Sequence, residues 1–403
     1  MVTAYPRVGI LADTLARWTG GIDFLRMCVG AINAVSPDSV QSVLVPSRSI
    51  QKSVLRTGKN GIKALIGRTI TPWEPIPKGE LVDALTLSGA KIQIAEFRET
   101  RHALADVLSK RGAEVLLPCE SSLGHSFPIP WVGYIPDLQH KQLPYFFSES
   151  ERRGRDKRNI RLLRDAPVII VNAHSVLSDI KEFYPDLKTR LVALPFCPSW
   201  YLGRHSDRSA QKTGAKYRLP QNYFIVSNQF WKHKSHETAF MAMRYLHDAG
   251  HHVHLVCTGK KTDSRWPDHF RYLEDLIQRI GLREYIHVLG LVPKADQLAI
   301  MQHSLAVIQP TLFEGGPGGG AVYDAISLNV PAVVSDIPVN REIDIGAVRF
   351  FSARSPEDLA EKLIDLLKNP PQTPSEEETR FRLQERQREL GRVLLETSSS
   401  ILS

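Results

Sequence analysis

Residues 306–342 read AVIQPTLFEGGPGGGAVYDAISLNVPAVVSDIPVNRE and carry the most informative pattern in the sequence. An apolar run typical of a strand precedes a loop with five glycines, which leads into a helix-period segment and a second strand-like run. Glycines between a strand and a helix let backbone N–H groups approach an anion at the positive end of the helix. The stretch therefore predicts a β-α-β unit whose loop suits a diphosphate.

Other apolar runs alternate with polar or helical segments along the whole chain. They occupy residues 8–12, 42–45, 91–95, 114–118, 131–135 and 168–171 in the first half, and 223–226, 253–257, 286–289, 306–309 and 332–335 in the second. Such alternation is typical of parallel sheets that are covered by helices. The predicted fold class is α/β, with two Rossmann-like doubly wound domains facing a cleft.

The polar stretch Gly203 to Gly214 has few apolar residues and is the best candidate for a linker. We therefore place the first domain at residues 1–207 and the second at residues 208–374. Residues 375–403 follow a proline-rich stretch, and their charged, helix-period pattern predicts a C-terminal helix.

Length and composition are those of a folded, two-domain protein. The chain has 403 residues, 42% of them hydrophobic and 23% charged, with a mean hydropathy of −0.19. No apolar run approaches the roughly 20 residues of a membrane helix, and the N-terminal residues do not resemble a signal peptide. We expect a cytoplasmic protein. The four cysteines are widely spaced and without a Cys-x-x-Cys pair, which predicts buried, reduced side chains.

The chain is basic, with 51 Lys and Arg against 43 Asp and Glu, a net charge of +8. An anionic partner is favoured, and nucleotide sugars, phospholipid surfaces and nucleic acids all meet this criterion. Nucleic acid is the weakest of the three, because the basic run of residues 152–158 has neither aromatic platforms nor a recognised module beside it.

Glu314 and Asp324 flank the glycine-rich loop. A carboxylate before the loop suits hydrogen bonds from sugar hydroxyls, and one within the helix suits a ribose diol, as in dinucleotide folds. The alternative is a glycine-rich turn with two solvated acids, since such loops are common.

The segment 306–342 resembles the C-terminal domain of the retaining glycosyltransferases of family 4 (glycosyl transferases group 1). That domain carries a strand, an acid followed by glycines, a second acid and a Pro-Val-Val-x-Ser-Asp-like strand. The resemblance implies a GT-B fold in which the first domain binds the acceptor and the second the nucleotide sugar. It implies that Glu314 is catalytic and contacts the donor sugar, that Asp324 binds the ribose, and that three glycines lie near the sugar or phosphates: Gly316, Gly318 and Gly319. The acids are ten residues apart here instead of eight, and the second is Asp instead of Glu.

Lysines follow another predicted strand, in the sequence VSNQFWKHKSHE of residues 226–237. A lysine there could neutralise a diphosphate leaving group. The resemblance assigns this catalytic role to Lys234, and it places Asn228 or Gln229 where the family has an arginine, so that Lys232 would supply the missing charge. Alternatively, both lysines are ordinary surface residues.

Three further loops take donor-binding roles from the same resemblance. Paired glycines at a helix start, Gly20 and Gly21, would face the donor phosphates, although a simple tight turn explains them equally well. The strand ends at Gly259, Leu291 and Val292 would hold the nucleotide base through the backbone.

The acceptor side is predicted at two strand ends of the first domain. Asp137, in YIPDLQHK of residues 134–141, is a catalytic candidate because open α/β sheets bind ligands at the carboxyl ends of their strands. Relatives have a His-Asp pair here; His140 either replaces the missing imidazole or simply packs. His174 and Ser175 end the next strand and are weaker, acceptor-side candidates.

The resulting hypothesis is a retaining hexosyltransferase in surface glycan biosynthesis. Its partners would be a nucleotide sugar, with GDP-mannose favoured, and a glycan or lipid-diphosphate-linked acceptor. The nucleotide sugar is a cosubstrate, so no cofactor is predicted, and no metal site either, because the chain lacks an Asp-x-Asp motif. The alternative is a GT-B nucleotide-sugar epimerase or a non-catalytic binding protein.

Two basic segments of the first domain predict contact with an anionic membrane surface. Residues 47–68 hold six basic residues and no acid, and residues 141–164 hold eight basic residues against three acids. Basic surfaces bind anionic headgroups at about 1 kcal/mol per Lys or Arg. We expect a peripheral enzyme on the inner face of the cytoplasmic membrane. The alternative for residues 47–68 is a solvated, mobile surface loop without a membrane role.

Overall fold

The computed structural model describes residues 5–17, 19–47, 79, 81, 82, 85, 92–197, 207–372 and 374–402. The predicted basic segment, beyond Ser47, and Trp18 lie outside these residues. The described part contains two parallel sheets flanked by helices, which confirms the predicted α/β class.

The first sheet has seven parallel strands in the order β3-β2-β1-β4-β5-β6-β7. The strands are β1 (Val8–Leu11), β2 (Val40–Ser47), β3 (Ile94–Arg98), β4 (Val115–Cys119), β5 (Trp131–Ile135), β6 (Val168–Val171) and β7 (Arg190–Ala193). The helices around it are α1 (Thr19–Val35), α2 (Arg101–Lys110), α3 (Gln139–Gln142), α4 (Glu149–Asp165) and α5 (His174–Phe183). Strands β1, β4, β5 and β6 are buried at every position, as their continuous apolar sequences require between two helical layers.

The second sheet has six parallel strands in the order β10-β9-β8-β11-β12-β13. The strands are β8 (Tyr223–Ser227), β9 (His254–Thr258), β10 (Ile286–Gly290), β11 (Val307–Gln309), β12 (Ala332–Asp336) and β13 (Val348–Ser352). The helices are α6 (Asp207–Tyr217), α7 (His236–Asp248), α8 (His269–Arg279), α9 (Lys294–Gln302), α10 (Gly319–Ser327), α11 (Pro356–Lys368) and α12 (Glu376–Ser399). Helix α6 occupies the part of the linker candidate that the structure describes.

Strand order reverses beside β1 in the first sheet and beside β8 in the second. A doubly wound sheet opens a crevice at this point, outside the carboxyl ends of its strands. The loops that follow β1, β4, β8 and β11 therefore flank these two crevices.

The C-terminal helix α12 packs on both domains. Leu390, Leu394 and Leu395 are buried in the core cluster of the first domain, whereas Leu383 belongs to a core cluster of the second. The helix approaches α1 so closely that a Cβ atom on Gly391 would lie 2.0 Å from the Ala31 carbonyl oxygen. The chain thus returns to its first domain after completing the second.

Two expectations from composition can be compared with this fold. Cys28, Cys119, Cys197 and Cys257 are all buried and free, as predicted. Among the described residues, no helix combines the length and apolar character needed to cross a membrane.

Candidate active site

Lys234 and Glu314 form an ion pair in the cleft, with 2.5 Å between Nζ and Oε1. Lys234 ends a 3₁₀ turn that follows β8, and Glu314 follows β11, the strand next to β8 in the sheet. Their side chains are only 11% and 10% exposed. The structure therefore brings together two of the four catalytic candidates, Lys234 and Glu314, although 80 residues separate them in the chain.

A buried amide holds the Glu314 carboxylate in place. Gln309 Nε2 donates to Glu314 Oε1 and to the Gly318 carbonyl oxygen, both at 2.9 Å, and Asn228 Nδ2 donates to Gln309 Oε1. Sequence reasoning missed Gln309, although a glutamine at the end of an apolar strand is a signal that could have revealed it. Of the two candidates for the family's arginine position, Asn228 joins this network, while Gln229 Oε1 accepts from the Lys260 backbone N–H.

The glycine-rich loop is fixed from both sides. Gly318 N–H donates to Asn340 Oδ1 at 2.8 Å, and Asn340 Nδ2 donates to the Ser335 carbonyl oxygen at 2.8 Å. Gly318 and Gly319 have φ angles of +68° and +63°, and a Cβ on Gly319 would lie 2.9 Å from Glu314 Oε2. Only glycine fits there. Helix α10 starts at Gly319, so its positive end lies beside the Lys234–Glu314 pair.

Asp137 faces the same loop from the first domain. A Cβ on Gly315 would lie 3.2 Å from the Asp137 Cβ and 2.8 Å from the Pro136 carbonyl oxygen. A Cβ on Gly316 would lie 3.4 Å from the Asn172 Cβ. Asp137 Oδ1 accepts from the Gln139 N–H at 3.0 Å. Asp137 is thus next to the loop that carries Glu314.

Two further acids, Asp13 and Glu120, share this end of the first sheet with Asp137. Asp13 follows β1, Glu120 follows β4, and Asp137 follows β5. Burial raises the pKa of Glu120 to about 7; Arg158 opposes this shift, whereas Asp13 and Asp137 add to it. Burial also raises the pKa of Asp13. Sequence reasoning missed both residues, because a single acid after a strand carries no distinctive pattern.

His140 lies in a packed position behind the cleft. The residue is 1% exposed, and its Nε2 is hydrogen-bonded to Asp156 Oδ1 at 3.0 Å. Asp156 also accepts from Lys141 Nζ at 2.9 Å and from the Tyr184 hydroxyl at 2.6 Å. Burial lowers the pKa of His140, and Asp156 opposes this effect. This geometry favours the packing role over the replacement of the family's histidine.

His174 and Ser175 reach the cleft through their backbone. Their N–H groups, at the start of α5, donate to the two carboxylate oxygens of Glu342, at 2.8 and 2.7 Å. Glu342 ends the 3₁₀ turn after β12 and therefore belongs to the second domain. Sequence reasoning missed it, because its partners lie 167 and 168 residues away.

Lys234, Gln309, Glu314 and Glu342 lie in a part of the chain that resembles a known family. Residues 207–389 match the family model for glycosyl transferases group 1. A comparison with curated protein sequences gives no significant match.

Solved structures with the same two-domain fold cover nearly the whole chain. HepE from Anabaena, in complex with UDP and glucose, is 13% identical and aligns over 98% of this chain and 100% of its own, with a TM-score of 0.64. A glycosyltransferase from Rickettsia africae is 12% identical over 99% and 98% of the two chains, with a TM-score of 0.60. WaaG, a glycosyltransferase involved in lipopolysaccharide biosynthesis, is 13% identical over 98% and 99%, with a TM-score of 0.56. The fold is GT-B.

Within the region that matches glycosyl transferases group 1, Asp324 is shut off from solvent. Its carboxylate is 3% exposed and pairs with Lys294 Nζ at 2.5 Å. Burial raises the pKa of Asp324 and Lys294 opposes this, while the charges of Asp23 and Arg26 on α1 act on both groups. A ribose diol could reach this carboxylate only after Lys294 had moved.

The other candidates of the group 1 region follow β9 or β10, or pack against an aromatic ring. Gly259 follows β9, and a Cβ there would lie 1.9 Å from the Asn228 carbonyl oxygen. Leu291, which is 73% exposed, and Val292 follow β10. The Lys232 ammonium group lies 3.7 Å from the centroid of the Trp266 ring, where it makes a cation–π contact.

In the first domain, Gly20 and Gly21 lie in the first turn of α1. A Cβ on Gly21 would lie 2.1 Å from the Leu15 carbonyl oxygen, so close packing alone already requires glycine. Across the described residues, no group of three or more His, Cys, Asp or Glu side chains is arranged to hold a metal ion.

Proposed function

We propose that the protein is a retaining glycosyltransferase that moves a hexose from a nucleotide sugar to a saccharide or lipid-linked acceptor in surface glycan biosynthesis. The observation that carries this proposal is the Lys234–Glu314 pair, which Gln309 and Asn228 hold at the glycine-rich loop of the group 1 region. The GT-B fold and the family match support the transferase class.

Each group has a defined task in this reaction. The Lys234 ammonium group and the N-terminal amides of α10 stabilise the negative charge that develops on the leaving diphosphate. The Glu314 carboxylate, fixed by Gln309, accepts hydrogen bonds from the donor sugar. The acceptor oxygen bonds to the anomeric carbon on the face from which the diphosphate leaves. The bond to the diphosphate oxygen breaks and the acceptor proton passes to that oxygen, so no protein nucleophile is needed. Asp137 approaches the reacting sugar from the first domain.

The diphosphate charge is met by protein groups, so we propose that transfer needs no divalent metal. Activity should survive EDTA and should not increase when manganese is added back. A complete loss of activity that manganese restores would contradict this part of the proposal.

The donor is a nucleoside-diphosphate hexose, and its base and sugar can be found by a binding panel. HepE structures contain UDP or UDP-glucose, whereas the sequence favours GDP-mannose. Thermal unfolding with UDP- and GDP-linked hexoses should raise the melting temperature for the true donor. Incubation of that donor with glycan and lipid-diphosphate acceptors should then yield a glycosylated acceptor; epimerised donor as the product would favour the epimerase alternative.

The same assay tests the site. Glu314→Gln and Lys234→Ala should each lower kcat about 100-fold or more, because each removes a charged group from the reacting centre. Two exposed residues of α11 serve as matched controls, and Glu361→Gln and Lys368→Ala should retain full activity. Unchanged turnover in both site variants would remove the site assignment.

A further inference from the structure

The 3₁₀ turn Pro338–Glu342 of the second domain is inserted into the first domain. Val339, at its second position, is 5% exposed and belongs to the core cluster that contains Val176 and Ile180 of α5. Ile337, just before the turn, packs against the same cluster. The turn therefore docks through apolar contacts and carries Glu342 to the start of α5.

Glu342 supplies a cap that α5 lacks in its own sequence. The first N–H groups of a helix have no partner within the helix and are usually satisfied by a polar N-cap side chain. The N-cap residue of α5 is Ala173, whose side chain accepts no hydrogen bond. Instead, the Glu342 carboxylate accepts from the His174 and Ser175 N–H groups at 2.8 and 2.7 Å. A negative charge at this end also interacts favourably with the helix dipole.

The other side of the turn holds the glycine-rich loop. Asn340 is fully buried, and its Oδ1 accepts from the Gly318 N–H at 2.8 Å. The Gly318 carbonyl oxygen accepts from Gln309 Nε2, which also donates to Glu314 Oε1. Hydrogen bonds, joined by the backbone of residues 340–342 and of Gly318, thus form a continuous path from the start of α5 to the Glu314 carboxylate.

Tyr323 of α10 provides independent evidence that these groups are close. A Cβ on Gly316 would lie 3.4 Å from its hydroxyl oxygen. Burial raises the pKa of Tyr323, and the charges of Glu314 and Glu342 both add to this effect. Both carboxylates therefore act on the partly buried Tyr323 side chain.

We propose that Glu342 is a positioning residue that caps α5 across the cleft and so couples closure of the two domains to the glycine-rich loop beside Glu314. The capping contact exists only when the domains are together, because its donors and acceptor belong to different domains. The effect on catalysis rests on the proposed transferase function, whereas the capping contact does not.

Hydrogen exchange of the full-length protein without substrate tests the contact directly. Glu342→Ala should speed exchange of the His174 and Ser175 amides about 10-fold or more, because two charge-assisted hydrogen bonds are lost. In the same variant, the exchange rates of the α2 amides should not change. In the Glu361→Ala control, the exchange rates of the α5 amides should not change either. Unaltered exchange at His174 and Ser175 in Glu342→Ala would overturn the proposal.

Kinetics test the coupling. Glu342→Ala should lower kcat about 10-fold while the donor dissociation constant stays within about twofold, because the donor is bound by the second domain. Glu342→Gln keeps one acceptor oxygen and should give intermediate exchange and intermediate kcat. Faster exchange with unchanged kcat would overturn the coupling. A wild-type protein that transfers no sugar from any donor would instead contradict the proposed function, and the exchange data would still decide whether Glu342 caps α5.

Discussion

At the scale of single residues, the buried pair of Asp324 and Lys294 makes a prediction about stability. Asp324→Ala would leave the Lys294 ammonium group without its partner, and removing one member of a buried pair is strongly destabilising. Because the Lys294 side chain is 30% exposed, we expect a smaller loss, of about 2 kcal/mol, in the free energy of unfolding. Thermal and denaturant unfolding would measure it.

The control is Asp324→Ala combined with Lys294→Met, which removes both charges and should recover part of the loss. If Asp324→Ala unfolds like the wild type but raises the Michaelis constant for the donor, the carboxylate binds ribose as the sequence predicts. That result would mean that Lys294 leaves the pair when the donor binds.

Glu120 makes a prediction about pH. Its pKa is raised from 4.5 to about 7 by burial, so between these values the folded protein holds a proton that the unfolded chain has lost. Folding stability therefore falls as the pH rises through this window, by about 3 kcal/mol for this group. Glu120→Gln removes the titration, so its melting temperature relative to the wild type should increase between pH 5 and pH 8. A difference that is constant across this range would contradict the assignment.

At the scale of elements, two adjacent glycines at the start of α10 make a matched pair. Gly319 has a φ of +63°, and a Cβ there would lie 2.9 Å from Glu314 Oε2, whereas a Cβ on Gly320 would meet no atom within 4 Å. Gly319→Ala should therefore displace Glu314 and lower kcat about 100-fold. Gly320→Ala should keep activity and stabilise the helix by about 0.5–1 kcal/mol. Equal activities in a transfer assay would show that the loop does not position Glu314.

Helix α4 carries an exposed basic stripe, which consists of Arg153, Lys157, Arg161 and Arg164. The spacing of three and four residues places these side chains on one face of the helix. We predict that this stripe binds anionic membranes, in line with the second basic segment found in the sequence. In low-salt co-sedimentation, the protein should bind anionic but not zwitterionic vesicles, and added salt should release it.

A triple change of Lys157, Arg161 and Arg164 to Gln should weaken this binding about 10-fold or more. The matched control changes three exposed arginines of α12 to Gln, namely Arg382, Arg388 and Arg392, and removes the same charge elsewhere. Equal loss in both variants would point to net charge instead of the stripe. Wild-type protein that stays in the supernatant with anionic vesicles would favour a soluble acceptor.

At the scale of the whole molecule, stability depends on the return of α12 to the first domain. Gly391 contacts the backbone of α1, so Gly391→Ala must push the two helices apart. We expect a loss of about 1–3 kcal/mol and a lower melting temperature. Gly154→Ala on α4 is the control, because a Cβ there would meet no atom within 4 Å. A Gly391→Ala variant with the melting temperature of the wild type would show that α12 does not lock onto α1.

The fold class and the main catalytic candidates can be predicted from sequence patterns and the family resemblance. Strands that are buried on both faces need continuous apolar runs, and glycine-rich or charged loops are likewise local patterns. Each of these can be recognised without knowing which segments it contacts in the fold. This is why Glu314 and Lys234 could be named as candidates, with roles that the family resemblance implies. Strands β7 and β13 were missed because, at the sheet edges, their sequences RLVA and VRFFS are only partly buried and include arginine.

The surroundings of those candidates depend on the three-dimensional fold. Asn228 lies 81 residues from Gln309, and His174 lies 168 residues from Glu342; no local pattern encodes such a distance. The same holds for His140, which the sequence left between two roles and the fold turns toward Asp156, and for Asp324, which the fold buries against Lys294. A hydrogen bond or an ion pair depends on the positions of two atoms in space, whereas periodicity and spacing report only which residues follow one another along the chain.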